Sequence, residues 1–237
     1  GREGPLNGDP STKIVTGGKY PHWNYEGTKI AYVYNSKFVY TADFDGTTVG
    51  EVTSLATSNT AYDPEWSPDG QHIVFWQELP ASNNSGGVEP YGWEVFRMNA
   101  DGTDVKQLTN THFLETPLVN YYNTYSPDGK TICFSRGPGY NGASDWQVWV
   151  MDSNGGNETN LTSNTGTSFW GSFSPDGSSI TYSGERAGGF AGTEGYKDFE
   201  IYTMDYDGKN QIEFSAPVAG TYRNYDGSWS TENQEIA

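Results

Sequence analysis

A chain of 237 residues with 34% hydrophobic content can bury one sizeable core. Its 30 acidic and 13 basic residues give a formal net charge of −17, which argues against a nucleic-acid partner, since neutralising phosphates needs clustered Lys and Arg. Thirty glycines, 17 tyrosines and 8 tryptophans favour short strands over helices, no run is apolar enough to insert in a membrane, and the lone Cys133 excludes an intrachain disulfide.

Taken in chain order, the first predicted element is a strand at Lys13-Ile14-Val15-Thr16. Next comes a turn, Asn24-Tyr25-Glu26-Gly27, with Trp23 before it, Ile30 three residues after its glycine and Tyr32 two further on. The same frame returns at Trp66 with Ser67-Pro68-Asp69-Gly70, Ile73 and Phe75, and at Tyr125 with Ser126-Pro127-Asp128-Gly129, Ile132 and Phe134. It returns again at Phe173 with Ser174-Pro175-Asp176-Gly177, Ile180 and Tyr182, and in degenerate form at Trp229 with Ser230-Thr231-Glu232-Asn233 and Ile236. Proline presets φ at the second turn position and glycine permits positive φ, so each tetrapeptide predicts a tight turn between two strands, a and b.

Downstream in each unit a β-branched and aromatic pair leads to a second turn. These pairs are Val39-Tyr40, Val95-Phe96, Val148-Trp149 and Ile201-Tyr202, with turns ending at Gly46, Gly102, Gly155 and Gly208. Asp-Gly and Asn-Gly steps are strong hairpin signals, so the unit has four strands, a to d. Met98, Met151 and Met204, all the methionines of the chain, stand one residue before this second turn. Four-stranded units repeated in tandem predict an all-β fold, a β-propeller of four-stranded antiparallel blades. The blades run at about 19–55, 62–109, 118–162 and 167–215, with a partial fifth at 221–237. The incomplete fifth unit leads us to expect further chain past Ala237.

The run Tyr62-Asp63-Pro64-Glu65-Trp66-Ser67-Pro68-Asp69-Gly70, then Ile73-Val74-Phe75, then Val95 to Gly102, ending Gln107-Leu108-Thr109, resembles the TolB-type propeller repeat, which is WD-repeat-like. That resemblance implies a propeller closed by an N-terminal d strand, here 13–16, paired into the last blade. It says less about activity, because the family mixes interaction modules, lyases and peptidase-associated propellers.

Tracing the strands puts the short a–b and c–d turns on one face and the long connections on the other. The b–c segments 80–92, 137–145 and 184–197 are rich in Gly, Ser and Asn with interspersed aromatics. Long connections on one side of a rigid scaffold are a usual place for function. The starts of the innermost strands complete that face: Tyr62, Tyr121, Phe169 and Tyr225 stand four residues before the turn aromatic, and Tyr20, Asp63, Tyr122, Trp170 and Asp226 stand three before, with Arg223 nearby. Rings interleaved with carboxylates and a guanidinium suit a sugar- or peptide-binding mouth, so Tyr62, Asp63, Tyr121, Tyr122, Trp170, Arg223, Tyr225 and Asp226 are the candidate ligand-binding residues.

Catalytic signals are poor. No G-x-S-x-G elbow occurs; Cys133 aligns with small strand-b residues as a core position; His72 reads as an exposed strand residue; and His22 with His112 make no metal site by themselves. Propeller lyases of the oligogalacturonate type use a histidine-rich metal site that has no counterpart in this chain. The Asp-rich second turns are shorter than calcium loops and carry no closing Glu. The expectation is a non-catalytic recognition propeller outside the cytoplasm (periplasmic, cell-surface or secreted), with a protein or glycan partner, no cofactor, no metal and no membrane insertion. The alternatives are a lyase-type or peptidase-associated enzyme with its catalytic residues elsewhere, and a structural assembly subunit.

Overall fold

The computed structural model describes residues 16–43, 49–51, 60–80, 91–111, 118–138, 145–163, 166–185 and 199–214. The strand expected at 13–16 and the partial unit at 221–237 lie outside the described residues, apart from Thr16.

Among the described residues, sixteen strands form four sheets, each a meander of four antiparallel strands in sequence order. The first contains β1 (Gly18–Trp23), β2 (Lys29–Tyr34), β3 (Phe38–Asp43) and β4 (Val49–Glu51). The second contains β5 (Ala61–Trp66), β6 (His72–Pro80), β7 (Tyr91–Asn99) and β8 (Lys106–Gln107). The third contains β9 (Leu118–Tyr125), β10 (Thr131–Pro138), β11 (Gln147–Asp152) and β12 (Thr159–Asn160), and the fourth β13 (Ser168–Phe173), β14 (Ser179–Glu185), β15 (Phe199–Asp205) and β16 (Ile212–Glu213). Together they form an all-β propeller.

The first turn of each sheet is built by its own residues. Ser67 Oγ donates to Asp69 Oδ1 (2.6 Å) and accepts from the His72 amide (2.9 Å), while Asp69 Oδ1 also accepts from the Gln71 amide (3.0 Å). The same set recurs around Ser126 with Asp128 and around Ser174 with Asp176. In the degenerate first copy Asn24 replaces serine, and its Oδ1 accepts from the Thr28 and Lys29 amides, both at 2.8 Å. Amides that would otherwise lose water find local acceptors, which is why these tetrapeptides specify the turn before any sheet forms. The Ala100 amide donates to Gln71 O, Ser153 to Lys130 O and Tyr206 to Ser178 O, so the two turns of a sheet share one face as expected.

Packing runs between adjacent sheets. Ala31 and Val39 of the first meet Trp66, Ile73, Phe75 and Met98 of the second. Val74, Val95 and Leu108 of the second meet Tyr125, Ile132, Phe134 and Met151 of the third. Cys133, Val148 and Leu161 of the third meet Ile180, Tyr182 and Met204 of the fourth. Alternation along a strand sends successive residues to the two neighbours, so Ile73 faces back and Val74 faces forward. The methionines are equivalent, as the repeat predicts: Ile73 pairs with Met98, Ile132 with Met151 and Ile180 with Met204, and Ala42 takes that place opposite Ile30. Cys133 and Val74 likewise share a register position, and burial pushes the Cys133 thiol far above the usual range, which makes it inert.

Two expectations change. The b–c segments are shorter than the composition suggests, because pairing continues to Pro80 opposite Tyr91 and to Glu185 opposite Phe199, satisfying backbone groups that a loop would leave to water. His72, read as exposed, is half-buried; burial and then the nearby Arg97 guanidinium hold its pKa below the usual imidazole value.

Candidate functional site

Each innermost strand carries the same irregularity. In β1, Tyr20 and Pro21 stand opposite the single residue Tyr32; in β5, Asp63 and Pro64 stand opposite Phe75. In β9, Tyr122 and Asn123 stand opposite Phe134, and in β13, Trp170 and Gly171 stand opposite Tyr182. Two residues against one is a β-bulge, which bends the strand and re-aims a side chain. The first bulge residue is left-handed in all four sheets, with φ of 53° at Tyr20, 51° at Asp63, 52° at Tyr122 and 58° at Trp170. Side chains with a Cβ are strained there, least so Asp, so three large aromatics in that state are costly choices.

The bulges bring rings together. Tyr20 meets Tyr62 edge-on, and Tyr62 stacks on Trp76 with centroids 3.9 Å apart. Trp76 touches Trp93 and Tyr121; Tyr121 touches Tyr122 and Trp146; Tyr122 meets Trp170 at 5.3 Å; and Trp170 leads through Phe169 to Phe199. One chain of aromatic contacts thus crosses all four sheets. Tyr20 and Tyr122 are exposed (41% and 36%), whereas Tyr62, Tyr121 and Trp170 are half-buried and Trp76 and Phe169 are buried.

Polar groups lie beside the rings. His22 Nε2 is 3.3 Å from Asp63 Oδ1 across the first two sheets. That hydrogen bond raises the His22 pKa against the opposing effect of burial, and the Glu65 charge adds to the rise. Glu65 Oε1 accepts from Thr124 Oγ1 (3.0 Å) and the Tyr125 amide (3.1 Å) of the third sheet. Loss of hydration nevertheless pushes its carboxyl up to about 7. The Asn123 amide group donates to Asp63 O, and the Trp170 amide donates to Ser135 Oγ, so both bulges are pinned by a neighbouring sheet.

Of the sequence-derived candidates, the structure gathers Tyr62, Asp63, Tyr121, Tyr122 and Trp170 on one edge of the innermost strands. Arg223, Tyr225 and Asp226 lie outside the described residues, as does His112. Sequence reading missed Trp76, Trp93 and Trp146, which join the candidates into one arc from the ends of strands b and the starts of strands c. It also missed Glu65, although a signal existed: the position before the turn aromatic is polar in every sheet, as His22, Glu65, Thr124 and Ser172. Among the described residues, no group of three or more His, Cys, Asp or Glu side chains is placed to hold a metal ion. Clefts of 390 and 540 Å³ open between the tight turns of adjoining sheets, lined in part by Asp69 and by Asp128 and Asp176, carboxylates already engaged in their own turns.

No family model matches this chain. An uncharacterised protein of Agrobacterium fabrum is 28% identical over 144 residues, which is 61% of this chain and 39% of that protein. A solved structure described as a TolB of Agrobacterium tumefaciens superposes with a TM-score of 0.64 at 18% identity, covering 90% of this chain and 66% of that one. An acylaminoacyl peptidase of Pyrococcus horikoshii superposes with a TM-score of 0.56 at 19% identity, over 82% of this chain and 31% of its own. The chain therefore matches only part of the length of each, and identities this low speak to architecture alone. That architecture is a β-propeller, similar in fold to the TolB structure.

Proposed function

We propose that this propeller is a recognition module that binds a protein or glycan partner through its loop-rich face, outside the cytoplasm. One observation carries the reading: a continuous arc of aromatic rings crosses four sheets at the bulged edge of their innermost strands and reaches solvent at Tyr20 and Tyr122. Core packing explains rings sealed between sheets, as at Phe75 and Phe134; it does not explain large side chains held in left-handed backbone at the surface. Arg223, Tyr225 and Asp226 belong to the proposed mouth on their sequence positions.

The test compares wild type with Tyr122→Ala and Trp170→Ala against arrayed peptides and oligosaccharides, read by tryptophan fluorescence. A central anchor is expected to cost about 1–3 kcal/mol of binding, with thermal unfolding little changed. Trp149→Ala is the control: Trp149 lies in β11 under the Arg136 guanidinium, 4.5 Å from its ring centre, and its loss should lower the melting temperature instead. Variants at Tyr122 and Trp170 that lose stability before binding would overturn the reading.

A further inference from the structure

This inference rests on the recognition role just proposed and concerns the chemistry of what is recognised. The bulge position reads Tyr20, Asp63, Tyr122, Trp170 across four successive sheets: a row of rings interrupted by a single carboxylate. The Asp63 side chain keeps 19% of its surface open, and the group it meets, His22, is itself 40% open, so the carboxylate is reachable rather than sealed. Two residues on, Glu65 places a second carboxyl beside the same strand edge, held by Thr124 and Tyr125. Among the described residues, Lys19 Nζ donates to Ser36 and Arg136 donates to Asn120 and pairs with Glu158, while His22 shares the Asp63 carboxylate and is the group that a stronger cation would displace.

An aromatic face is negative at its centre and attracts cations, and a carboxylate set between such faces adds full charge to the same attraction. A neutral sugar stacks on the rings and donates hydroxyls to a carboxylate, but it carries no charge for the net charge of −17 to attract. We propose that this mouth seats a basic side chain of a protein partner, an arginine or a lysine, with its cation at Asp63 and its stem between the Tyr20 and Tyr122 rings. The formal charge of −17 steers such a partner toward the surface, and the exposed rings supply the short-range contact.

The experiment titrates the chain by calorimetry with three probes: a Gly-Arg-Tyr-Arg-Gly peptide, the same peptide with citrulline for arginine, and cellohexaose. The arginine peptide is expected to bind about tenfold more tightly than its citrulline twin, and more weakly as salt is added. Asp63→Asn, which suits a left-handed position as well as Asp does, should remove about tenfold of that preference, and Tyr122→Ala a similar factor. Asp63→Glu should retain most of it. If Asp63→Asn does not fold, the Tyr122 variant and the salt dependence still decide. Equal binding of the two peptides, or no arginine-peptide binding at millimolar concentration, overturns the inference. Binding of cellohexaose that is lost in Tyr122→Ala but untouched by Asp63→Asn also overturns it while leaving the recognition reading in place. If no probe responds to Tyr122, both fail.

Discussion

Glu65 shows how one position in a repeat acquires properties that its type does not suggest. Its carboxyl stands at about 7, against an ordinary value of 4.5, so the folded chain holds this proton more tightly than the unfolded chain does. The stability gained that way is complete below the unfolded value and is lost as pH rises through about 7. His22 is raised as well, chiefly by its hydrogen bond to Asp63, so its contribution is also lost as pH rises through its folded value. Glu65→Gln, which keeps an acceptor for the Tyr125 amide, should therefore gain in melting temperature relative to wild type between about pH 5 and pH 8. A difference that stays flat over that range would refute the assignment. The turn aspartates run the other way. Serine hydroxyls hold Asp69, Asp128 and Asp176 below the usual carboxylate range, Asp176 at about 2, so their contribution is present above the unfolded value and lost on acidification.

At the scale of the element, the bulge decides how closely two sheets approach. The second bulge residue is Pro21, Pro64, Asn123 or Gly171. A Cβ at Gly171 would lie 2.5 Å from Cys133 Sγ and 2.8 Å from Val148 Cγ1, inside contact distance. Gly171→Ala is thus expected to cost about 1–3 kcal/mol in urea denaturation through overpacking. Adding Cys133→Ala removes one of the two clashing atoms and should recover part of that loss, a non-additive pair. Strict additivity would mean that the sheets relax apart freely. The buried Glu94 side chain also joins elements: it accepts from Thr109, Thr111 and Asn120, tying β7 to the start of the next sheet.

For the whole molecule, each sheet seals one face of the next. Trp66 and Tyr125 are 5% and 6% exposed under the preceding sheet, whereas the equivalent Trp23 of the first sheet is 52% exposed. Leu108 and Leu161 are 9% and 7% exposed, and Phe214 in the same place on the fourth sheet is 55% exposed. Trp66→Ala should therefore cost about 3–5 kcal/mol in chemical denaturation. A loss under about 1 kcal/mol would contradict this packing.

The repeat, its turns and the pairing register were legible in the sequence because they rest on neighbours in the chain. Ser67 and Asp69 build their turn within five residues, glycine and proline set its backbone, and the Ile–Met register follows from counting along two adjacent strands. The propeller and one edge of aromatic residues were readable for the same reason. The contacts between sheets were not. Glu65 meets Tyr125 across 60 residues of sequence and His22 meets Asp63 across 41, and no local pattern encodes which groups lose water in such encounters. The left-handed bulge was equally hidden, since Tyr and Trp are residues that local preference would keep out of it. Sequence alone determined the blade; the packing of one blade on the next decided which rings join, which carboxyl is stripped of water and which aromatics remain open to solvent.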